Sequence, residues 1–568
     1  MTSDQHPTSS YLYMVVLRND TVSPLKPRVA NEPVSAKPGG KAHTSAESTA
    51  VRIDFAGLSQ RIIALPVPSA NYVQLAAGKA GEVYLVRAPL TSVTPNAPPM
   101  SLLKFDLHSR KTIELADGIS AFALSFNGKK MLLREGSHWS IAGTAAPAKA
   151  GQGTIATDAM ELYSVPQEEW AQMYRETWRI ERDFFYDKHY GGLNLAQAER
   201  RFAEFLPGLG SRDDLTFLTH QMLSYLSTGH MWVGGGTQPR MRQVNVGLLG
   251  ADYTIAHDRY RFAKIYSGEN WNPQLQAPLT QPGATVRAGE YLLAVNGRPL
   301  YATQKIYEAF EETAGKQTTI EVGPNPGGTG AREITVLPVA SEHALRNYAW
   351  IEHNRREVDR LSGGKLGYVY LPDTGYGGFT NFNRYFFAQV NKQGLILDER
   401  FNHGGQIADY IIDLLKRKPM SMLVPRDGKI TLDPPLAVYG PKVMIINQYA
   451  GSGGDAMPWY FRKAHIGPLV GVRTWGGLVG IGGYPRLMDG GSVMAPRIAI
   501  GGLHGHWVVE GHGIAPDIKV WQNPQLMREG HDPQLEAAVQ TAMRMLHEHP
   551  LPRYVPPPYP NHHEHIPH

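Results

Sequence analysis

Apolar residues keep no single rhythm along this chain, and each change of rhythm marks a candidate domain. Up to about residue 155 they come in strand-sized bursts, at 11–17, 51–55, 83–86, 102–107, 121–126 and 131–133. Alternating or continuous apolar segments broken by Gly, Asn and Pro predict strands. Asn127-Gly128 predicts a tight hairpin turn between two of them, because both residues tolerate positive φ. Stretches rich in Pro, Ala and Ser (24–50) or in Ala and Gly (145–157) read as loops or linkers. Such a segment supplies propeller-like blades but is too short for a ring, which takes at least about four four-stranded blades.

At Ser164 the period becomes helical. Ser164-Val165-Pro166-Gln167 offers a capping serine and a proline in the first turn, and Trp170, Met173, Tyr174, Trp178 and Phe185 follow at helical spacing. A second helix is expected from Ser211-Arg212-Asp213-Asp214, with Leu215, Leu218, Met222 and Leu226 on one face. It should end at Ser227-Thr228-Gly229-His230, with Gly229 as a left-handed cap and His230 just beyond. Residues 242–340 return to β-pattern. There Ala288-Gly289-Glu290-Tyr291-Leu292-Leu293-Ala294-Val295-Asn296-Gly297, a strand running into a tight turn, resembles the signature of PDZ domains, with Gly247-Leu248-Leu249-Gly250 as the approximate peptide-carboxylate loop. From Leu366 onward strands (366–371, 395–398, 442–447) alternate with helices bearing Phe379, Phe382, Phe386 and Val390, then Ile407, Ile411, Leu414 and Leu415. That alternation predicts a largely parallel sheet with chemistry at the carboxyl ends of its strands.

Composition narrows the chemistry. The 568 residues contain no cysteine, which removes disulfides, thiolate metal sites and thiol nucleophiles. Lys+Arg 56 against Asp+Glu 51 leaves a net charge of only +5 with no dense basic block, so nucleic acid is not an expected partner. No apolar run approaches the roughly 18 residues of a membrane span, and the start Met1-Thr2-Ser3-Asp4-Gln5-His6-Pro7 shows no signal peptide. No membrane partner is expected.

One segment stands out chemically. Residues 443–460 read as strand, glycine-rich turn and helix, with Ser452 in Ala450-Gly451-Ser452-Gly453-Gly454-Asp455. A serine at a helix N-terminus sits among unpaired amides that favour developing negative charge, as an acyl-transfer nucleophile requires. The same turn also suits a plain helix cap. The Ala-x-Ser-x-Gly wording departs from the Gly-x-Ser-x-Gly elbow of α/β-hydrolases. A second glycine turn, Asn402-His403-Gly404-Gly405, follows the strand ending at Asp398, and two such turns could aim two amides at one oxyanion. Asp455 is expected to cap its helix. His504, His506 and His512 lack the helical His-Glu-x-x-His spacing or the carboxylates of a metal site, and Asn561-His562-His563-Glu564-His565 reads as surface tail.

Four motifs then fall in order: Leu226-Ser227-Thr228-Gly229-His230, the stretch 397–405 (Leu-Asp-Glu-Arg-Phe-Asn-His-Gly-Gly), the stretch 447–455 (Asn-Gln-Tyr-Ala-Gly-Ser-Gly-Gly-Asp), and 509–517 (Val-Glu-Gly-His-Gly-Ile-Ala-Pro-Asp). Together they resemble the C-terminal part of tricorn-type proteases, relatives of the tail-specific serine peptidases. The resemblance implies a multidomain chain: a partial β-propeller-like segment (1–157), a helical domain carrying the histidine (158–241), a PDZ-like domain (242–342), an α/β catalytic domain of the tail-specific type (343–548) and a Pro/His-rich tail (549–568). It implies Ser452 as nucleophile, His230 as general base, Glu510 as the acid orienting the imidazole, and the amides of Gly405 and Gly453 as oxyanion hole. Gly404, Ile481 and Gly482 would lie along bound peptide, the last two within Gly480-Ile481-Gly482-Gly483. It further implies oligopeptide hydrolysis through an acyl-enzyme without metal or organic cofactor, a hexameric homo-oligomer, downstream aminopeptidases as partners and a cytoplasmic location.

Two positions depart from the family pattern. The founding enzymes carry a serine before the catalytic histidine, where this chain has Gly229. The tail-specific peptidases use a lysine base downstream of the serine, where Trp475-Gly476-Gly477-Leu478 has none. The family's chains also run to nearly twice this length, with two propellers in front. Two other readings remain from the residues alone: a ligand- or peptide-binding protein on the same fold, or an esterase.

Overall fold

The computed structural model describes residues 9–26, 51–89, 99–149, 151–239 and 241–563. The expected start sequence, most of the 24–50 linker and the last residues of the tail lie outside them. The chain divides into two compact units, Met1–Ser164 and Val165–His568.

The first unit is built of two four-stranded antiparallel sheets. One joins Asn71–Ala77, Glu82–Ala88, Met100–Asp106 and Lys111–Ile119; the other joins Ala121–Leu124, Lys130–Glu135, His138–Gly143 and Thr154–Ile155. Alternation along the strands sends Tyr84 and Val86 into a core with Leu102, Leu115, Phe122, Met131 and Leu133, while Leu85 and Leu103 face a second core with Phe105. Two blade-like sheets are present, as expected of a partial propeller. Three expectations fail in detail. Residues 51–55 form no strand. Strands 71–77, 111–119 and 138–143 were not expected: Lys111, Glu114 and Asp117 break up the second, and Val73 and Leu75 of the first face outward, so apolar pattern and burial part company. At the hairpin only Gly128 takes positive φ, at 65°; Ser125 bridges the turn by accepting from Gly128 N and donating to Lys130 O.

The second unit begins with the helix Pro166–Phe184. Its N-cap position is Val165, one residue later than expected, and Pro166 is the first helical residue, a position that needs no N–H partner. Helices Leu195–Ala203 and Arg212–Leu223 pack on it around Met173, Tyr174, Trp178, Phe202, Leu215, Leu218 and Met222. Ser211 caps the last of these by accepting from Asp214 N. The left-handed residue ending the helical run is Ser227 (φ 50°) rather than Gly229. Next comes a six-stranded antiparallel sheet spanning Ala251–Ala256 to Arg332–Val336, in which Tyr291–Val295 is buried throughout and turns through Asn296 (φ 49°) and Gly297 (φ 74°).

The last part is a five-stranded, wholly parallel sheet in the order Leu366–Tyr370, Gly394–Asp398, Lys442–Ile446, Leu469–Gly471, Ile518–Lys519. Both faces are covered. Val369, Leu397, Met444 and Ile446 meet the helices Tyr376–Phe387, Ala408–Leu415 and Gly453–Lys463 through Phe382, Phe386, Ile411, Met457 and Phe461. Tyr368, Ile396, Val443 and Ile445 meet His343–Leu361 and Pro533–Glu548 through Ile351, Val358, Leu535, Ala538 and Val539. Each fully buried Phe or Leu of this kind contributes about 1.5–3 kcal/mol. This two-sided core fixes the strand ends on which the site is built. Among the described residues no helix is long and apolar enough to cross a membrane.

Candidate active site

Strand Lys442–Ile446 ends in a turn that delivers Ser452 to the first turn of the helix Gly453–Lys463. Ser452 holds φ 59° and ψ −118°, a conformation that L-residues rarely adopt and that persists only when its surroundings enforce it. The enforcement is visible. Ser452 N donates to Asp455 Oδ2 at 3.0 Å and to Gly477 O at 3.1 Å, and Gly451 N donates to Asn402 O at 3.0 Å. Asp455 does more than cap its helix. It also accepts from Gly476 N (2.9 Å), Gly477 N (3.0 Å) and the Thr474 hydroxyl, tying the Ser452 turn to the turn beyond the next strand. Burial pushes its carboxyl above the ordinary range against the pull of these donors.

The glycines around Ser452 leave room for nothing larger. A Cβ at Gly404 would stand 2.6 Å from Ser452 Cβ, one at Gly405 would run into the Thr374 carbonyl, and one at Gly453 would lie 2.7 Å from Gly405 N and collide with Thr374 Oγ1. Gly404 and Gly405 take φ of 90° and 138°, which a side chain would strain. Among the described residues neither the Gly405 amide nor the Gly453 amide donates a hydrogen bond within the chain. Two unused donors beside a serine at a helix N-terminus can stabilise an oxyanion.

His230 arrives from the helical segment. It lies three residues past the left-handed Ser227, is buried, and itself takes φ 63°. Its strand is stapled across the site: Val233–Gly234 pairs with Ser492–Val493, Met494 N donates to Trp232 O, and Arg212 Nε meets Asp489 Oδ2 at 2.6 Å with both side chains buried. The imidazole packs against Trp475, ring centroids 5.4 Å apart. Burial lowers its pKa from the usual 6.5 while the Glu510 charge pulls it back up.

The Glu510 carboxylate does not hydrogen-bond the imidazole directly. Oε1 accepts from Gly229 N at 2.7 Å and Oε2 from Leu478 N at 2.6 Å, so it holds the histidine by the preceding peptide. His230 Nδ1 is buried without a partner, and no hydrogen bond among the described residues joins the Ser452 hydroxyl to the ring. A Cβ at Gly229 would stand 3.0 Å from Gly477 Cα and 3.3 Å from Glu510 Oε1. A side chain at position 229 would therefore start beside the Glu510 carboxylate.

A cavity of about 950 Å³ brings most of these groups together. Its wall includes His230, Ser452, Gly404, Gly405, Gly453, Gly480 and Ile481; Glu510 lies behind it and Gly482 outside its lining. Gly480 belongs to Val479–Gly480, which pairs with Ile498–Ala499, and Gly482 N donates to the Tyr484 hydroxyl at 2.8 Å. Sequence reasoning overlooked Trp475, Thr374 and the bracing role of Asn402, none of which has a residue type that announces chemistry. The expected carboxylate loop is taken up internally: Gly247 N donates to Phe310 O, Leu248 N to Val339 O, and Gly250 N to Glu342 Oε1 at 2.6 Å. The Glu342 carboxylate also accepts from Ala251 N at 3.3 Å.

Fold and site together define a multidomain chain with the catalytic domain of a serine-type peptidase. Three family models match in sequence order: "Tricorn protease C1 domain" over residues 166–224, "Tricorn protease PDZ domain" over 247–341 and "Peptidase family S41" over 365–520. In these domains the chain is of the tricorn protease type. It is 33% identical over 565 residues to tricorn protease homolog 1 of Streptomyces coelicolor, covering 96% of this chain and 52% of that one. It is 30% identical over 445 residues to the tricorn protease of Thermoplasma acidophilum, covering 78% and 41%. A crystal structure of the tricorn protease superposes with TM-score 0.79 at 28% identity, over 91% of this chain and 50% of that one. The chain spans about half the length of the curated relatives it matches.

Proposed function

We propose that this chain is a serine protease that hydrolyses oligopeptides through an acyl-enzyme, with Ser452 as nucleophile and His230 as general base. Ser452 Oγ attacks the scissile carbonyl carbon as His230 takes its proton; the carbonyl oxygen, now negative, accepts from the Gly405 and Gly453 amides. Collapse expels the amine, which leaves with the proton from His230, and water then releases the acyl group by the same steps in reverse. Glu510 acts at one remove, fixing the Gly229 peptide from which the imidazole hangs and opposing the burial that disfavours its charged form. Gly404, Ile481 and Gly482 follow the peptide backbone, Gly404 and Ile481 at the cavity wall and Gly482 just beyond it.

The observation that carries the reading is the meeting, on one cavity, of a serine in an enforced strained conformation, two amides with no internal partner and a buried histidine. A helix cap needs none of the other three. The sequence similarity to tricorn proteases supports peptides as the substrate class.

A fluorophosphonate probe tests this. It is expected to attach at Ser452 of the full chain, to be lost in Ser452→Ala and slowed in His230→Ala; a folded wild-type chain that takes no label would overturn the reading.

A further inference from the structure

One buried carboxyl group close in sequence to the oxyanion turn has no use in the mechanism. Glu399 follows the strand Gly394–Asp398, is 0% exposed, and has no hydrogen-bond partner on either carboxyl oxygen. A buried ionised carboxylate without partners is prohibitively costly, so the group is carried as the neutral acid. Its surroundings point the same way: burial, then the Asp455 charge, then the Asp398 charge push it well above the ordinary carboxylate range, and only the Asn402 side-chain amide, near the carboxyl but outside hydrogen-bond geometry, pulls it down.

Those neighbours hold the site. Asp455 holds Ser452 N, Gly476 N, Gly477 N and the Thr474 hydroxyl. Asn402, whose Nδ2 is likewise buried without a partner, holds Gly404 N through Oδ1 at 2.9 Å and Gly451 N through its carbonyl. Asn402 also wedges against the nucleophile helix, where a Cβ at Gly454 would come within 2.8 Å of its carbonyl oxygen. Glu399 is tied to the second of these posts, its carbonyl accepting from Asn402 N at 3.0 Å, and its carboxyl lies within electrostatic reach of the first, Asp455. Of the charged groups acting on it, Asp455 comes from the nucleophile helix and Asp398 from its own strand; the Arg400 cation beside it is already bound by Asp398 and Asp532.

We infer that Glu399 is a positioning residue which, as the uncharged acid, keeps Asp455 and Asn402 in the arrangement that presents Ser452, and that its ionisation in alkaline solution disarms the site. Loss of the proton sets a second anion beside Asp455 in a dry pocket, and the two posts separate. The inference rests on the serine-hydrolase reading of the same site and concerns how that site responds to pH.

The test compares wild type with Glu399→Gln, and with Glu399→Met should the glutamine fail to fold, in two measurements from pH 5 to 10. In the first, the rate of fluorophosphonate labelling is expected to fall at alkaline pH in wild type, and the variant's fall to move up by at least one pH unit or vanish. Identical alkaline limbs would overturn the inference while leaving the serine reading intact. The second measurement is thermal unfolding, which needs no activity. Because the folded form keeps a proton that the unfolded chain releases, wild type should lose stability relative to the variant as pH rises above the ordinary carboxylate value. Parallel unfolding profiles would overturn the inference even in a chain that takes no label, a result that by itself would count only against the serine reading.

Discussion

The two halves of the proposed catalytic pair are held in different ways. Ser452 is gripped from inside its own domain: four donors converge on Asp455, Gly477 O fixes the serine amide, and Gly404, Gly405 and Gly453 pack so closely that none can take a side chain. His230 is borrowed from the helical segment and held from outside, by Glu510 at the neighbouring peptide, by Trp475 against its ring, and by the Arg212–Asp489 pair and a two-residue strand pairing. Its Nδ1 has no partner at all. The nucleophile is thus preorganised by shape, whereas the base is tuned mainly by charge and burial. Crowding the glycines around Ser452 should appear as lost rate at every pH, whereas removing a charge beside His230 should appear as a displaced acid limb.

The largest effect expected is that of Ser452→Ala, which should lower kcat for an oligopeptide by roughly 10⁶-fold, by analogy with serine peptidases in general; a loss under about tenfold would break the contrast at once. Gly453→Ala comes next. Its methyl would collide with Thr374 Oγ1 and crowd Gly405 N, so an oxyanion donor moves, and about 10²–10³-fold in kcat should go with the pH optimum unmoved. On the histidine side, Arg212→Ala leaves Asp489 buried and unpaired, at a cost of about 3–5 kcal/mol measurable by denaturant unfolding.

Two pH predictions sharpen the histidine half. Because burial lowers the His230 pKa, the imidazole remains a competent base below the usual 6.5, and activity should fall only on further acidification. Glu510→Gln removes the anion that favours the imidazolium, so the acid limb of kcat/KM should move lower still; movement upward would contradict the assignment. The last prediction, the one that leaves the site itself untouched, concerns Glu181 in the helix Pro166–Phe184, fully buried, without a partner among the described residues and raised to about 8 by burial. Its contribution to stability is full below its ordinary value of 4.5 and is lost as pH rises from there to about 8. Glu181→Gln should therefore gain on wild type by up to about 1.4 kcal/mol per pH unit across that window, with the labelling profile unmoved. This is the counterpart of Glu399 on the serine side, where labelling itself should respond.

Much of this was legible in the residues because local rules agreed with the final arrangement. The parallel strands at 366, 395 and 442 are continuous apolar runs, since both faces of their sheet are covered, and the turns at Gly404-Gly405 and Gly451 to Gly454 read as strand-end glycines with a job. The blade strand 111–119 was hidden because Lys111, Glu114 and Asp117 face outward, and 71–77 because its outward positions include the apolar Val73 and Leu75, which erases the alternation. The helix entry lies one residue later than expected, because Pro166, with its fixed φ and no N–H to satisfy, suits the first helical position and leaves Val165 as the N-cap. The direct Glu510–His230 contact could not be checked in one dimension, since it depends on where two residues 280 apart in number place their side chains. Nor does the Gly247-Leu248-Leu249-Gly250 loop reveal that its last amide donates to Glu342, some ninety residues on.

The most direct measurement is single-turnover cleavage of an oligopeptide by the full chain at neutral pH, followed by intact-mass analysis of the trapped enzyme. The account predicts an acyl adduct on Ser452 that forms in wild type, forms slowly in His230→Ala and is absent, with cleavage abolished, in Ser452→Ala. Cleavage at the wild-type rate by Ser452→Ala, or an adduct on any other residue, would contradict it.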